Sequence, residues 1–311
     1  MKVLIVGRGV VGSLSGWALE RAGHTVELLV RPGRAAGYGD SIALDFYDAR
    51  SKLMGIAVRE DWPVTFREDL QRDHDFDLIL VSVQHYRFAE TVDFLVDRVS
   101  KASILIFNNF WVDPQAATAQ LPTDRLVWGF PMAGGGFSQA GLLRGALFKN
   151  VHFGTFSADP TERELSVRST FQEAGFKIVE HRDFRGWLWT HFAINAGLHS
   201  QTLKAGSILR VFQVISENRE AVLSIRELFP VLQARGVNLK AHRSEIWLFQ
   251  LPASLGALIL RLVPFHRPVK AILSNHANPE ELRSYCRDVL ADAQRLGVPT
   301  PRLEATKRFF A

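Results

Sequence analysis

The first 31 residues, MKVLIVGRGVVGSLSGWALERAGHTVELLVR (residues 1–31), decide the fold of this chain. Residues 2–6 form a short apolar run rich in β-branched side chains, which is typical of a strand buried on both faces. Helix-period residues then run from about Val10 to Ala22 and end at Gly23, a residue type that suits the end of a helix. A second apolar run follows at residues 25–30. The stretch therefore predicts a β-α-β unit.

Three glycines join the first strand to the helix at the spacing G-x-G-x-x-G: Gly7, Gly9 and Gly12. In this motif the first glycine allows a tight turn, the second lets a pyrophosphate approach the backbone, and the third packs the helix against the strand. The N–H groups of the first helical turn, which contains Val10 and Val11, can then bind phosphate. We predict that this turn binds a dinucleotide. The alternative is a tight turn with a purely structural role.

Arg31 indicates which dinucleotide is bound. An NAD site carries Asp or Glu about twenty residues past the glycines, where it binds the ribose 2′-hydroxyl. Here Arg31 stands in that place, and no carboxylate follows before Asp40. A guanidinium can hold a 2′-phosphate with two hydrogen bonds, whereas a carboxylate repels it. We therefore predict NADP as the cofactor, with Arg31 as the 2′-phosphate ligand and Arg34 or Arg8 assisting; three solvated arginines are the alternative.

The remaining pattern divides the chain into two parts. Up to about residue 182, buried strand runs such as DFDLILVSV (residues 75–83) alternate with helical stripes, which predicts an α/β, doubly wound sheet. From residue 184 onward only helical periods occur. We predict a Rossmann-type NADP-binding domain over residues 1–182 and an all-α domain over residues 183–311 that binds substrate and can support a homodimer. The ligand cleft is expected between them.

The charge of the chain gives little reason to predict a nucleic-acid partner. The net charge is +5, but the basic residues are scattered and no recognisable nucleic-acid-binding module accompanies them. An anionic cofactor and an anionic substrate explain a mild positive excess equally well. The single cysteine, Cys286, excludes an internal disulfide and fits a reducing compartment.

Membrane insertion is not predicted either. The N-terminus lacks the pattern of a signal peptide. The longest apolar stretch, residues 248–263, is interrupted by Gln250, Pro252 and Arg261 and falls short of the roughly 20 residues that a membrane span needs. We predict that it forms a buried core helix, and that the protein is a cytoplasmic enzyme whose partner is a small molecule.

The segment GWLWTHFAINAGLHSQTLKAG (residues 186–206) contains the densest set of chemical groups. His191, Asn195 and His199 are spaced i, i+4, i+8 and therefore share one helix face. Polar groups on an otherwise apolar helix need partners. They either line a substrate site or bond to neighbouring helices. We predict no metal site, because the two histidines lie roughly 12 Å apart along the helix axis.

These segments resemble the ketopantoate reductases (2-dehydropantoate 2-reductases), and the resemblance runs nearly from end to end. The glycine motif with Arg31 is similar to that family's NADP site, and ILIFNNF (residues 104–110) resembles the strand that ends in its Asn-Gly pair. GWLWTHFAINAG (residues 186–197) resembles its helix with a lysine and, four residues on, an asparagine. PEELRSYCRDVLADAQRLGVPTP (residues 279–301) resembles its closing helix, and Glu281 falls at the substrate-binding glutamate.

The resemblance implies a reaction. In that family the lysine protonates the ketone oxygen while NADPH delivers hydride, and the asparagine and glutamate hold the substrate. The present chain retains Asn195 but has His191 at the lysine position. The next polar position of the helix is His199 rather than asparagine.

Further departures lie elsewhere in the chain. Gln84 replaces a lysine on the cofactor side, the Asn-Gly pair is Asn109-Phe110, and Val269 replaces a substrate-contacting serine. The chain thus keeps the family's cofactor-binding pattern, whereas the residues at the substrate-binding positions differ. The predicted cofactor ligands accordingly include Gln84 and Asn109 besides the glycine turn and Arg31.

We predict His191, Asn195 and Glu281 as the catalytic residues. With an ordinary pKa near 6.5, His191 would donate the proton, and His199 is its competitor. The predicted function is NADPH-dependent reduction of a small 2-oxo acid or a related carbonyl compound. Alternatives are a genuine 2-dehydropantoate 2-reductase that uses histidine for lysine, a non-catalytic NADP-binding sensor, and an opine-type condensing enzyme, which no sequence feature favours.

Overall fold

The computed structural model describes residues 1–275 and 278–311. The chain forms two compact units. The first, here called the sheet unit, comprises Met1–Asn108 and Pro114–Phe184. The second, the helical unit, comprises Asn109–Asp113 and Arg185–Ala311. The short segment Asn109–Asp113 was not expected to leave the sheet unit. Binding of NADP by residues 1–182 and of substrate by residues 183–311 remains a prediction.

The sheet unit is built on one mixed sheet, which has ten strands in the described part of the chain. Its strands are β1 (Lys2–Val6), β2 (Thr25–Leu29), β3 (Ser41–Ala49), β4 (Ile56–Pro63), β5 (Thr65–Arg67), β6 (Leu78–Val81), β7 (Ser103–Ile106), β8 (Leu126–Phe137), β9 (Leu143–Gly154) and β10 (Lys177–His181). Four helices accompany them: α1 (Val10–Arg21), α2 (Phe88–Leu95), α3 (Pro114–Ala117) and α4 (Glu162–Glu173).

The strand order is β4-β3-β9-β8-β7-β6-β1-β2-β5, and β10 pairs with β9. β1 lies between β2 and β6, and both pairings are parallel. The apolar run of β1 is buried on both faces, as it must be in a strand that has parallel neighbours on each side. β5 pairs in parallel with β2, so the carboxyl ends of β5, β2, β1 and β6 meet at one edge of the sheet.

The predicted fold class, an α/β sheet followed by a helical part, is confirmed. Some elements differ from expectation. β3 and β4 form a hairpin, and β3 also pairs in parallel with β9, so the hairpin extends the sheet. β5 has only three residues and was not predicted. β8 and β9 are long, with 12 residues each, and Gly134–Gly136 continue β8 as a strand opposite β9.

The helical unit contains the remaining helices, and its core is apolar. They are α5 (Phe184–Ala205, which begins one residue before the unit), α6 (Ile208–Gln213), α7 (Ile215–Glu227), α8 (Phe229–Ala234), α9 (Arg243–Gln250), α10 (Ala253–Leu260), α11 (Arg267–Asn275), α12 (Pro279–Arg295) and α13 (Pro301–Ala305).

The prediction of a buried core helix over residues 248–263 is wrong. The stretch breaks at Pro252, because proline has no N–H to donate and disfavours a helical residue before it. Beyond the break Leu255, Leu258 and Leu262 are 45%, 55% and 61% exposed. Among the described residues no single helix is long and apolar enough to cross a membrane; one pair bent by 112°, Arg243–Gln250 with Ala253–Phe265, would pass on length and composition.

Arg235 explains why Asn109–Asp113 belongs to the helical unit. Its guanidinium forms an ion pair with Asp292 and donates to the carbonyl oxygen of Trp111. It also lies over the rings of Trp111 and Trp189, at 4.2 Å and 4.0 Å from their centroids. Within the same unit, the indole N–H of Trp189 donates to the carbonyl oxygen of Val112 at 3.3 Å. The segment is therefore held by charge, hydrogen bonds and ring stacking.

Candidate functional site

The glycine turn has the geometry that a phosphate site requires. Gly7 has a φ of +93°, which suits glycine, and its N–H donates to the carbonyl oxygen of Leu29 at 2.8 Å. A Cβ added to Gly12 would lie 2.8 Å from the Ile5 side chain, so this glycine is needed for packing α1 on β1. A Cβ on Gly9 would meet only the carbonyl oxygen of Ser82, at 3.5 Å. The backbone of Gly9 is thus open to a ligand.

The start of α1 adds a favourable field at the same place. Val10 and Val11, both half-buried, begin the helix. No acidic residue lies in the first turn, and Gly9 has no side chain with which to cap the N–H groups. The positive end of the helix dipole and these N–H groups favour an anion. The residues present therefore fit the pyrophosphate of a dinucleotide.

The loop after β2 contains Arg31 and binds a carboxylate that was not expected. Arg31 and Arg34 are exposed, and the N–H of Arg34 donates to the carbonyl oxygen of Arg31 at 3.1 Å, which closes a turn. Glu68, directly after β5, accepts a hydrogen bond from the N–H of Ala35 at 2.6 Å. The N–H groups of Gly33 and Ala35, and also that of Arg34, lower the pKa of Glu68, so the carboxylate is ionised. A carboxylate therefore lies beside the loop at the end of β2, although the loop's own sequence has none before Asp40.

Arg8, the residue between the first two glycines, is held by aromatic rings. Its guanidinium lies 4.8 Å from the ring centroid of Tyr38 and 4.2 Å from that of Phe137. It also donates to the carbonyl oxygen of Gly141 at 3.4 Å. Burial lowers the pKa of Arg8, but arginine remains protonated. Arg8 thus gives the glycine turn a fixed positive charge.

Two predicted cofactor ligands lie in different surroundings. Gln84 is half-buried at the carboxyl side of β6, where it begins a 3₁₀ turn at residues 85–87. Its neighbour Val83 is bound by Asn108, whose amide donates to the Val83 carbonyl oxygen at 2.6 Å and accepts from its N–H at 3.4 Å. Asn109, the next residue, belongs to the helical unit. Asn108 therefore stabilises the end of the sheet, and Asn109 takes part in a different cluster.

That cluster, which we call the Tyr285 cluster, contains Tyr285, Asn109, Asn195, Glu281 and His199. The Asn109 amide donates to the Tyr285 hydroxyl oxygen at 3.2 Å. Asn195 also hydrogen-bonds to this oxygen. The ring of His199 meets the Tyr285 ring edge-on, with the centroids 5.1 Å apart. Four of the residues singled out from the sequence thus surround a tyrosine that was not.

Burial and charge fix the ionisation of the Tyr285 cluster. Burial raises the pKa of Tyr285, and the charge of Glu281 raises it further, while the hydrogen bonds from Asn109 and Asn195 lower it by less. The hydroxyl therefore keeps its proton at neutral pH. The ring stacks on Phe192 with the centroids 4.0 Å apart. Asn109 is buried, and its side-chain oxygen has no hydrogen-bond partner among residues 1–275 and 278–311.

Glu281 lies at the start of α12, as predicted. The side chain of Asn278 accepts a hydrogen bond from the Glu281 N–H at 3.4 Å and caps the helix. An acidic residue in a first helical turn is stabilised by the helix dipole wherever it occurs. The electrostatic effect of Glu281 on Tyr285 shows that it is also close to the Tyr285 cluster.

His191, one helical turn before Asn195, has a different environment. Its ring stacks on Trp187 with the centroids 5.4 Å apart and an angle of 13° between the planes. The indole N–H of Trp187 donates to Glu245 at 3.2 Å. Burial lowers the pKa of His191 to about 4, although the nearby charge of Glu245 acts in the opposite direction. The expectation of a pKa near 6.5 is therefore wrong for the ligand-free protein, because the imidazole is desolvated.

Cys286 and Val269, which were also discussed from the sequence, lie in the helical unit. Cys286 is buried and its thiol contacts the carbonyl oxygen of Ala196 at 3.5 Å, so its role is packing. Val269 lies in α11 and is half-buried. In the described part of the chain no group of three or more His, Cys, Asp or Glu is arranged to hold a metal ion.

Solved structures with this fold come from several proteins. The 2-dehydropantoate 2-reductase of Geobacter metallireducens GS-15 is 17% identical, with a TM-score of 0.72 over 100% of this chain and 99% of that one. A PanE/ApbA family ketopantoate reductase of Ralstonia eutropha JMP134 is 20% identical, with a TM-score of 0.69 over 100% and 97%. D-mandelate dehydrogenase, in a ternary structure with NADH and anilino(oxo)acetate, is 13% identical, with a TM-score of 0.74 over 100% and 97%. At these identities the likeness shows the fold.

The family of this chain is shown by its sequence. No curated protein matches the chain at a significant level. Residues 3–158, just over half of the chain, match the family of ketopantoate reductases PanE/ApbA. The matched range contains the glycine turn, Arg31, Glu68 and Asn109. The chain therefore belongs to the ketopantoate reductase PanE/ApbA family and is an oxidoreductase that acts on a CH–OH/C=O group.

Proposed function

We propose that this protein is an NADPH-dependent reductase of a small 2-oxo acid or a related carbonyl compound other than ketopantoate. The observation that carries the proposal is the Tyr285 cluster, in which Asn109 and Asn195 hydrogen-bond to one buried hydroxyl and the charge of Glu281 acts on it. All three residues were expected to contact substrate or cofactor. Family membership supports reduction of a 2-oxo acid. The exchange of the family's lysine for His191 supports a different substrate.

The cofactor part of the proposal rests on the glycine turn and on Arg31. When bound, NADPH would supply the hydride. Gly7, Gly9 and Gly12 would hold its pyrophosphate with the first turn of α1, and Arg31 would hold the 2′-phosphate. We place Gln84 near the same cofactor because it follows the carboxyl end of β6.

The substrate part rests on the hydrogen-bonding capacity of the Tyr285 cluster. The oxygen of Asn109 is buried without a partner among the described residues, and a buried amide oxygen without a partner is costly. A substrate hydroxyl that donates to it would recover that cost. Glu281 can accept a second hydrogen bond from a substrate hydroxyl, and Asn195 can donate to a carboxylate.

His191 is the proposed source of the proton. Hydride addition to a ketone creates an alkoxide, which needs a proton or a strong hydrogen bond as its charge develops. His191 is mostly neutral in the ligand-free protein at pH 7, because burial holds its pKa at about 4. The carboxylate of a 2-oxo acid would favour the imidazolium, since a nearby negative charge raises the pKa of a histidine. Substrate binding and protonation of His191 are therefore expected to be coupled.

The direct test is a set of NADPH assays with 2-oxo acids that carry straight, branched, phenyl and hydroxyl-bearing side chains, ketopantoate among them. Loss of NADPH absorbance with at least one acid other than ketopantoate supports the proposal. Turnover of ketopantoate alone would identify a genuine 2-dehydropantoate 2-reductase. Tight NADPH binding without turnover of any compound would identify an NADP-binding sensor.

The cofactor assignment has its own test. Arg31→Glu should weaken NADPH binding by roughly tenfold to a hundredfold, because a charge-assisted contact of about 1.5–3 kcal/mol is lost. NADH binding should change much less. An Arg31→Glu protein that binds NADPH as tightly as the wild-type protein does would contradict the role of Arg31.

A further inference from the structure

Glu68 lies where the nucleotide specificity of the cofactor site is decided. It follows Arg67, the last residue of β5, which is paired with Leu29 at the end of β2. The next backbone bond, from the Val30 N–H to the Arg67 carbonyl oxygen at 2.7 Å, keeps the two chains side by side beyond the strands. Glu68 and Arg31 therefore leave the same edge of the sheet together.

The loop that Arg31 begins forms a small anion-binding surface. Gly33 has a φ of +76°, and the turn is closed by the bond from the Arg34 N–H to the Arg31 carbonyl oxygen. This conformation aims successive N–H groups at one point, and such an arrangement of backbone dipoles binds anions. The anion in this structure is Glu68, which accepts from Ala35 at 2.6 Å and interacts with the N–H groups of Gly33 and Arg34.

Resting on the proposed function, we propose that Glu68 is a specificity-determining residue: its carboxylate competes with the 2′-phosphate of NADPH for the N–H groups of residues 33–35, and it remains there when NADH binds. A carboxylate repels a phosphate but accepts a hydrogen bond from a ribose hydroxyl. Arg31 therefore favours NADPH and Glu68 favours NADH. The preference for NADPH is smaller than Arg31 alone would give.

The test measures the binding of both dinucleotides to the full chain, so no substrate is needed. Glu68→Gln removes the charge but keeps an oxygen that can accept from Ala35. It should lower the Kd of NADPH about tenfold or more and change the Kd of NADH less than about threefold, since each tenfold corresponds to about 1.4 kcal/mol. Glu68→Ala should shift the ratio of the two constants in the same direction.

Asp69→Asn is the matched control. Asp69 is the adjacent residue, is exposed, and binds the N–H of Leu70 at 2.8 Å, away from the loop. The variant makes the same change of charge, so it reports any general effect of a lost negative charge. Its ratio of Kd values should equal that of the wild-type protein. A second pair of probes, adenosine 2′,5′-bisphosphate and 5′-AMP, tests the 2′-phosphate without the nicotinamide.

The outcomes separate this inference from the proposed function. If both dinucleotides bind and Glu68→Gln leaves the ratio of their Kd values equal to that of Asp69→Asn, the role of Glu68 is refuted and the proposed function stands. If neither dinucleotide binds to the wild-type protein, the proposed function fails and the role of Glu68 fails with it. A ratio that moves toward NADPH in Glu68→Gln alone supports the inference.

Discussion

Two influences on the pKa of His191 oppose each other. Burial lowers it to about 4, and the charge of Glu245 raises it by less. If the imidazolium is the proton donor, its fraction in the free enzyme falls tenfold for each pH unit above about 4. We therefore expect kcat/KM for reduction, which reports the free enzyme, to fall roughly hundredfold from pH 6 to pH 8. A flat profile over this range would mean that a neutral imidazole or a water serves as the donor.

Removal of the His191 imidazole gives a second prediction. His191→Ala should lower kcat by about 10²–10⁴-fold, the usual contribution of a general acid, and should leave NADPH binding intact. Retention of near-full turnover would transfer the role to His199 or a water.

Glu245 gives a milder way to change the same pKa. Glu245→Gln keeps an acceptor for the Trp187 indole but removes the negative charge, so the pKa of His191 should fall further. We expect a lower kcat/KM at every pH above about 5 and the same slope. Ser244→Ala is the control, because Ser244 donates to Glu245 at 2.6 Å and its removal leaves the charge in place. Equal profiles for wild type and Glu245→Gln would contradict this coupling.

Tyr285→Phe removes one hydroxyl and keeps the ring that stacks on Phe192. Asn109 then loses the oxygen to which it donates, and Asn195 loses its hydrogen bond to the same hydroxyl, which should cost about 1–3 kcal/mol of unfolding free energy, measured by urea denaturation. Because these amides are proposed to contact substrate, we also expect KM to rise about tenfold or more and NADPH affinity to stay constant. Tyr47→Phe, in β3, should change neither quantity. A loss of stability with unchanged KM would make Tyr285 purely structural.

For single residues, the sequence allowed prediction of those groups whose partners are near in the chain. Gly7, Gly9 and Gly12 act on the strand and helix that they join, so their spacing was informative. Tyr285 and Glu68 were missed for a physical reason. The partner of Tyr285 lies 176 residues away at Asn109, and Glu68 reaches its loop through a three-residue strand without an apolar run.

Among the elements, α1 depends on a small residue near its start. A methyl group at Gly12 would approach the Ile5 side chain to 2.8 Å, so α1 must move from β1 or the side chain must shift. We expect Gly12→Ala to cost about 1–3 kcal/mol of unfolding free energy and to raise the Kd of NADPH, because the first turn of α1 is displaced.

The control removes a helix cap of similar energetic value. Thr161 and Glu164 form a capping box at the start of α4. Thr161→Ala should cost about 1 kcal/mol of unfolding free energy. Its Kd for NADPH should equal that of the wild-type protein. A Gly12→Ala protein with wild-type Kd would show that the start of α1 is not a phosphate ligand.

Element boundaries were predictable where local chemistry sets them. The start of α4 is such a boundary, because Thr161 and Glu164 are three residues apart and form its capping box. The hydrophobic content of residues 248–263 led to the wrong prediction of one helix, because Pro252 ends one helix while the apolar pattern continues into the next. The sheet pairing of β3 with β9 brings together segments about a hundred residues apart, which no local pattern encodes.

At the scale of the whole molecule, cofactor binding should raise the free energy of unfolding. A ligand that binds only the folded state at a hundred times its Kd adds about 2.7 kcal/mol. For a unit of this size that corresponds to a rise in Tm of roughly 5–10 °C. We expect this rise with NADPH, and a smaller one with NADH at the same concentration, in thermal unfolding followed by circular dichroism. Equal shifts with both would remove the basis for an NADPH preference.

The path of the chain through Asn109–Asp113 limits how the protein can be dissected. A gene fragment that encodes residues 185–311 lacks Trp111, so the guanidinium of Arg235 loses both a carbonyl acceptor and an indole face. A fragment of residues 1–184 carries the same five residues without the helices that hold them. We therefore expect each half to be less stable alone than in the full chain, because a single cut after Phe184 separates residues 109–113 from the rest of the helical unit. Trimmed versions of this enzyme require a circularly permuted or co-expressed design in which residues 109–113 remain with the helices.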